Sequence, residues 1–291
     1  MSYDTETQYQ AISPQVTPYP RRPSPFQTVG MALSIGLVLA GVLWLVSVLT
    51  SSTTTEEMTF TGEIDALSAD VDNGDITVRG GDVAQVELVR TVRSSVVGPA
   101  YDEQVSGTTL ELSGSCPWYA FGRCGVSYEL IVPPDLIASL EASSGDVVVE
   151  GLTGDLVVRS SSGDVILRSI DGSIDAEVSS GDIELEDVTG DVRAQASSGD
   201  VTATGLTAGS LRLRTSSGDV EAQLDAAPES IDAEASSGDV TIMVPDDGTA
   251  YAVEGESSSG DRRISVAADP DSPNHARVHT SSGDATFAYV G

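Results

Sequence analysis

From residue 143 to the C-terminus, apolar positions recur in pairs behind short polar corners. Val147 and Val149, Val165 and Leu167, Ile183 and Leu185, and Val240 and Ile242 hold one phase. Leu156 and Val158, Ile174 and Ala176, Val192 and Ala194, and Leu211 and Leu213 hold a second. The residues between, such as Val148, Ile166, Glu184, Thr202, Glu221 and Thr241, share no chemistry and are expected to face solvent. A period of two with one constant apolar face predicts half-buried strands. Helix is opposed by a glycine about every nine residues and by the richness in Val, Ile and Thr.

The corners carry the stronger signal. Ser-Gly-Asp recurs with its glycine at Gly145, Gly163, Gly181, Gly199, Gly218, Gly238, Gly260 and Gly283, at spacings of 18, 18, 18, 19, 20, 22 and 23 residues. A second corner falls half a period later, at residues 153–155, 171–173, 189–191 and 208–210. Fixed-period self-similarity of this kind predicts a solenoid. Glycine supplies the positive φ of a tight corner, and Ser and Asp satisfy its backbone groups. The expected fold is all-β, a parallel β-solenoid with coils of 18–23 residues, and eight coils stacked ~4.8 Å apart would run ~40 Å. The widening spacings fit insertions at corners, at 225–229, 245–249 and 270–275, where prolines collect.

Stacking places Asp146, Asp164, Asp182, Asp200, Asp219 and Asp239, followed by Asp261 and Asp284, in a column of carboxylates. Neighbours ~4.8 Å apart repel by about 1 kcal/mol in water and ~3.5 kcal/mol at an effective dielectric of 20. Local capping by corner N–H groups and Ser hydroxyls would offset this. Bound cations such as Ca2+ are the other solution, as in calcium-binding β-rolls. Those rolls use Gly-Gly-x-Gly-x-Asp nonapeptides, whose extra glycines are missing here.

The units SSGDV (143–147, 161–165, 197–201, 216–220, 236–240) and SSGDI (179–183) resemble a bacterial family of candidate adhesins of largely unassigned function. The resemblance spans roughly 58–290, with NGDITV at 73–78 as a divergent first unit. It implies a β-solenoid, often membrane-tethered, without established catalytic residues. SSGDR at 258–262 and SSGDA at 281–285 depart from the pattern.

Residues 58–142 are also strand-like, with alternating runs at 86–92, 109–112 and 126–132. They are expected to form N-terminal coils or a cap, because an open solenoid must hide its edge. Cys116 and Cys124 are the only cysteines and are expected to form a disulfide worth about 2.5 kcal/mol in the chain-entropy model. The loop they close holds Trp118, Tyr119, Phe121 and Arg123, a cluster of contact-surface composition. The same rings would alternatively plug the solenoid end.

Composition adds topology. Val29 to Leu49 is a run of 21 uncharged residues, ~30 Å as a helix, and is read as a signal anchor (29–50) contacting the lipid bilayer. Arg21 and Arg22 precede it and Glu56 and Glu57 follow it, so the tail is placed in the cytoplasm and residues 51–291 outside the cell membrane. Residues 1–28, with five prolines, read as a disordered tail, and 51–57 as a linker. All 14 basic residues are arginine against 45 acids, and the net charge of −31 lies wholly beyond residue 50. So acidic a surface repels nucleic acid.

Nothing points to an enzyme. His275 and His279 are the only histidines and lack a third ligand for a metal, and no phosphate loop or nucleophile elbow occurs. No cofactor is expected. Two classes of function remain: a surface protein presenting an acidic rod to an extracellular protein or glycan, or a signalling protein whose ectodomain senses and whose tail reports.

Overall fold

The structure, a computed structural model, describes residues 25–49, 51–120 and 122–290. Two compact units divide the chain, Met1–Leu45 and Val46–Gly291. The proline-rich tail lies outside the described residues up to position 24, and its last four residues open α1 (Pro25–Leu49), a helix of 25 residues. Side chains along α1 are described at Val29, at 33–42, and at Trp44 and Leu45. Among the described residues no helix is long and apolar enough to cross a membrane. The expected span over Val29–Leu49 therefore rests on the sequence.

Beyond the last four residues of α1, the second unit is all β among the described residues. Its N-terminal part holds β1 (Ser52–Phe60), β2 (Ala66–Asn73), β3 (Ile76–Gly80), β4 (Val86–Ser94), β5 (Ala100–Ser106), β6 (Thr109–Ser115) and β7 (Cys124–Val132). The repeats give β8 (Ile137–Ser144), β9 (Val147–Glu150), β10 (Leu156–Ser162), β11 (Val165–Asp171), β12 (Ile174–Ser180) and β13 (Ile183–Thr189). They continue through β14 (Val192–Ser198), β15 (Val201–Leu206), β16 (Ser210–Ser217), β17 (Val220–Leu224), β18 (Ser230–Ser237) and β19 (Val240–Val244). Four strands follow: β20 (Ala252–Ser257), β21 (Arg262–Ile264), β22 (His275–Ser282) and β23 (Ala285–Tyr289). Residues 52–57, expected as linker, belong to β1, which pairs antiparallel with β4 from Ser52↔Ser94 to Phe60↔Val86.

Each coil of the repeat contributes one strand to each of two sheets. The twelve-stranded sheet runs β1-β4-β7-β3-β9-β11-β13-β15-β17-β19-β23-β21, and the eleven-stranded sheet β20-β22-β18-β16-β14-β12-β10-β8-β2-β6-β5. Neighbouring repeat strands are parallel and in register, so Val165 lies beside Ile183 and Ala176 beside Ala194. Inward residues thus stack on their own equivalents and form one continuous core. This burial removes apolar surface from water at both faces of a thin layer, which suits a chain with few bulky rings.

A third inward position escaped the period-two reading. Leu152, Ile170, Val188 and Leu206 are fully buried although two outward residues precede each of them. The extra residue sits in the left-handed region: Gly151 (φ 73°), Ser169 (φ 54°), Asp187 (φ 55°) and Gly205 (φ 68°). A bulge recurring every 18 residues re-aims the strand and returns an apolar side chain to the core. In the opposite sheet the third inward position is Ala, Ser or Thr in most coils, with Val71 and Val178 the valines. There Thr215 Oγ1 donates to Gly199 O (2.9 Å), and Thr280 Oγ1 donates to Gly238 O (2.8 Å), so the buried hydroxyls are satisfied.

Spatial order departs from chain order at both ends. The coil β2/β3 lies between β6/β7 and β8/β9, and the coil β22/β23 lies between β18/β19 and β20/β21. The departures SSGDR and SSGDA explain the second exchange. Ala285 and Phe287 of β23 are fully buried, as an interior coil requires. Arg262 takes the inward position that Val or Ile fills elsewhere, and its side chain lies against Gly255 of the same coil. An arginine there can be hydrated only if nothing stacks beyond it, so its coil is the terminal one.

Candidate functional site

Corners leading from the eleven- to the twelve-stranded sheet carry the Ser-Gly-Asp motif. At Gly181 φ is +140°, and an added Cβ would stand 2.3 Å from the carbonyl oxygen of Gly163 in the coil below. Only glycine permits coils to approach this closely. The column of aspartates follows from the same stacking. Asp146 Oδ1 accepts from the N–H of Asp164 (3.0 Å), Asp164 Oδ1 from Asp182 (2.9 Å), and Asp182 Oδ1 from Asp200 (2.8 Å). The ladder continues through Asp219 and Asp239 to Asp284 and then Asp261, in spatial order. It begins one coil earlier, at Asp75, whose Oδ1 accepts from Asp146. Each carboxylate but the last is therefore capped by the neighbouring coil's amide and not by its own corner, and Asp261 meets Arg263 instead (3.5 Å). Among the described residues no group of three or more His, Cys, Asp or Glu side chains is placed to hold a metal ion. His275 and His279 lie on β22, the latter 4.0 Å from Glu256.

Arginines on the sheet faces sit opposite acids of adjacent coils. Arg168 contacts Glu184 (2.7 Å) and Glu186 (2.8 Å), and Arg214 contacts Asp232 (2.8 Å) and Glu234 (3.6 Å). The Glu186 and Glu184 hydrogen bonds raise the pKa of the half-exposed Arg168 guanidinium. Such pairs stabilise little one at a time but offset like-charge repulsion along the stack.

At the outermost N-terminal coil the β6–β7 corner holds no Ser-Gly-Asp. The Cys116–Cys124 disulfide closes a loop there, with Cα atoms 6.0 Å apart. The loop turns on a hydrogen bond from Ala120 N–H to Pro117 O (2.8 Å) and is tied back by Cys116 N–H to Asp72 Oδ2 (3.2 Å). Trp118 is 94% exposed and Tyr119 52%, with their rings edge to face at 5.7 Å. Arg123 is exposed, and Phe121 lies outside the described residues. The plug expected of these rings is therefore not made by Trp118 or Tyr119.

The end is closed instead by groups that the sequence reading did not single out. Tyr128 is fully buried, and its hydroxyl donates to Ser113 O (2.9 Å) and to Glu103 Oε1 (3.2 Å). Arg90, buried on β4, forks onto Glu103 at 2.5 and 2.7 Å, pairs with Glu56, and stacks 4.0 Å over Tyr101. Burial tends to lower the Arg90 pKa, but the Glu103 hydrogen bond and charge outweigh it and leave the pKa raised. Burial first, then the Glu103 charge, pushes the Tyr128 hydroxyl well above the ordinary tyrosine range. An amphipathic pattern with one arginine in the inward phase of β4 was the available signal.

Two mainly parallel sheets wound from short, self-stacking coils define an all-β repeat protein consistent with a solenoid. Residues 64–287 match the Toastrack DUF4097 family, and the chain belongs to it. The chain is similar to a candidate adhesin from Bacteroides fragilis at 15% identity and a TM-score of 0.43, covering 82% of this chain and 97% of that one. It is also similar to a candidate adhesin from Parabacteroides merdae at 11% identity and a TM-score of 0.33, with the same coverage. A candidate cell adhesion protein from Clostridium sporogenes gives 10% identity and a TM-score of 0.30, covering 82% of this chain and all of that one. No curated protein matches the chain.

Proposed function

We propose that this is a non-enzymatic surface protein. Residues 29–49 anchor it in the cell membrane, the N-terminal tail lies in the cytoplasm, and the acidic β-repeat unit faces outward and makes contact through the 116–124 loop. The observation that carries the contact role is Trp118, 94% exposed in a covalently closed loop. A large ring held in water at this position is hot-spot material with no core to serve. The anchor is supported by Leu33, Ile35, Leu37, Val38, Leu39, Val42, Trp44 and Leu45, all exposed. Together with the exposed Val29, these positions spread around the whole helix axis at 100° per residue, which suits a lipid surrounding.

Both parts can be tested on the full chain in its own cells. Alkaline carbonate washing should leave it in the membrane pellet, and its release would overturn the anchor. Trp118→Ala should abolish cell–surface attachment while leaving surface display unchanged, and unchanged attachment would overturn the contact role.

A further inference from the structure

Acids outnumber arginines so heavily beyond residue 50 that nearly every arginine there should find a partner. Arg79, Arg90, Arg159, Arg168, Arg193, Arg212, Arg214 and Arg263 do. Among the described residues Arg93, Arg123, Arg262 and Arg277 are in no ion pair, and of these Arg93 and Arg123 line one cavity of about 370 Å³ at the disulfide-closed corner. Asn73, Gly74, Gly122, Cys124 and Gly125 complete its lining, so the wall carries no carboxylate. Strand register explains the convergence. Arg93 on β4 stands opposite Gly125 and beside the Ser94↔Cys124 pair, and Arg123 is the residue before that cysteine. Arg93 Nη1 also donates to Ser127 Oγ (3.3 Å), and Ser127 is buried, so the β4 arginine is held from beneath. The sheet register and the disulfide thereby bring both arginines to one cavity whose lining holds no carboxylate.

We propose that this cavity binds the carboxylate of an acidic polysaccharide. The inference rests on the contact role of the loop. Guanidinium forks match carboxylate and phosphate oxygens in geometry and charge. Arg123 shares its loop with Trp118 and Tyr119, whose exposed rings offer flat apolar surface to the faces of neighbouring sugars. The overall charge of −31 does not forbid an anion here. At physiological ionic strength fields are screened within ~8 Å, so the local arginines govern the last step of approach. A bare acidic protein would meet the same arginines without using the rings, which is why the polysaccharide is preferred.

The test uses the full chain in lipid nanodiscs and titration calorimetry with four probes: hexagalacturonate, its methyl ester, poly(glycerol phosphate) and polyglutamate. Binding of hexagalacturonate is expected, and poly(glycerol phosphate), which has no sugar rings for Trp118 and Tyr119 to face, should bind more weakly. Arg93→Gln and Arg123→Gln should each weaken it about tenfold, and Trp118→Ala by a similar factor. The methyl ester should bind no better than the arginine variants bind the acid. No binding of hexagalacturonate, equal binding of polyglutamate or poly(glycerol phosphate), or binding indifferent to both arginine substitutions would overturn the proposal. If Trp118→Ala abolishes cell attachment while Arg93→Gln and Arg123→Gln leave it intact, the loop contacts something else and only this inference fails. If none of the three alters attachment, the contact role fails with it.

Discussion

At single residues the repeat sets opposite demands on positions that look alike. Gly181 cannot carry a side chain, because its Cβ would collide with the Gly163 carbonyl and its φ is +140°. Gly181→Ala should cost roughly 3 kcal/mol in denaturant unfolding. Ser169 holds a left-handed bulge that Gly151 and Gly205 fill in equivalent coils. Ser169→Gly should therefore stabilise the protein by up to ~1 kcal/mol in the same measurement. Tyr251 presents a third case. It is fully buried against Phe287, its hydroxyl lacks a hydrogen-bond partner among the described residues, and burial, then Asp247 and Tyr289, push its pKa up to about 12. A tyrosine raised in this way contributes stability that is full below pH 10 and lost as pH climbs towards 12. Tyr251→Phe should flatten alkaline unfolding over that window and, by removing an unpaired hydroxyl, leave neutral-pH stability equal or about 1 kcal/mol higher.

At the scale of strands and corners the sequence was readable where the repeat is strict. Corners and inward pairs from 143 to 244 could be placed from glycine spacing and alternation, because each coil meets the same neighbours. The bulge hid the third inward residue, since a strand with an extra residue breaks the period of two just before Leu152, Ile170, Val188 and Leu206. Their 18-residue recurrence was the overlooked signal. Coil order could not be read, because pairing between distant strands leaves no local pattern. Only Arg262 in place of Val marked the terminal coil. At the candidate site the disulfide and the aromatics were visible, but Arg93 enters by register with Gly125, across more than thirty residues of chain. If Arg262 guards the open end, Arg262→Val should produce concentration-dependent self-association in sedimentation velocity. A variant that stays monomeric at high concentration would show that the short β21 blunts the edge without it.

For the whole β unit, charge is the governing property. Cross-strand arginine pairs are mostly exposed and few beside the surplus of carboxylates, so repulsion should dominate. Raising NaCl from low concentration to about 0.5 M should raise Tm rather than lower it. Calcium at matched ionic strength should add no saturable, chelator-reversible increment, and one that did would assign the aspartate column to cation binding. The exchanged coil order has a consequence in time. A chain delivered from its N-terminus builds coil upon coil until β19, and then makes the outer coil β20/β21 before the one that belongs beneath it. That outer coil has no stable seat until β22 and β23 arrive to wedge between, like a keystone set last. Completion is thus checked by the fold itself: a molecule cut short before His275 keeps a raw end at β18 and β19 and a loose flap beyond it, the form that quality-control proteases recognise.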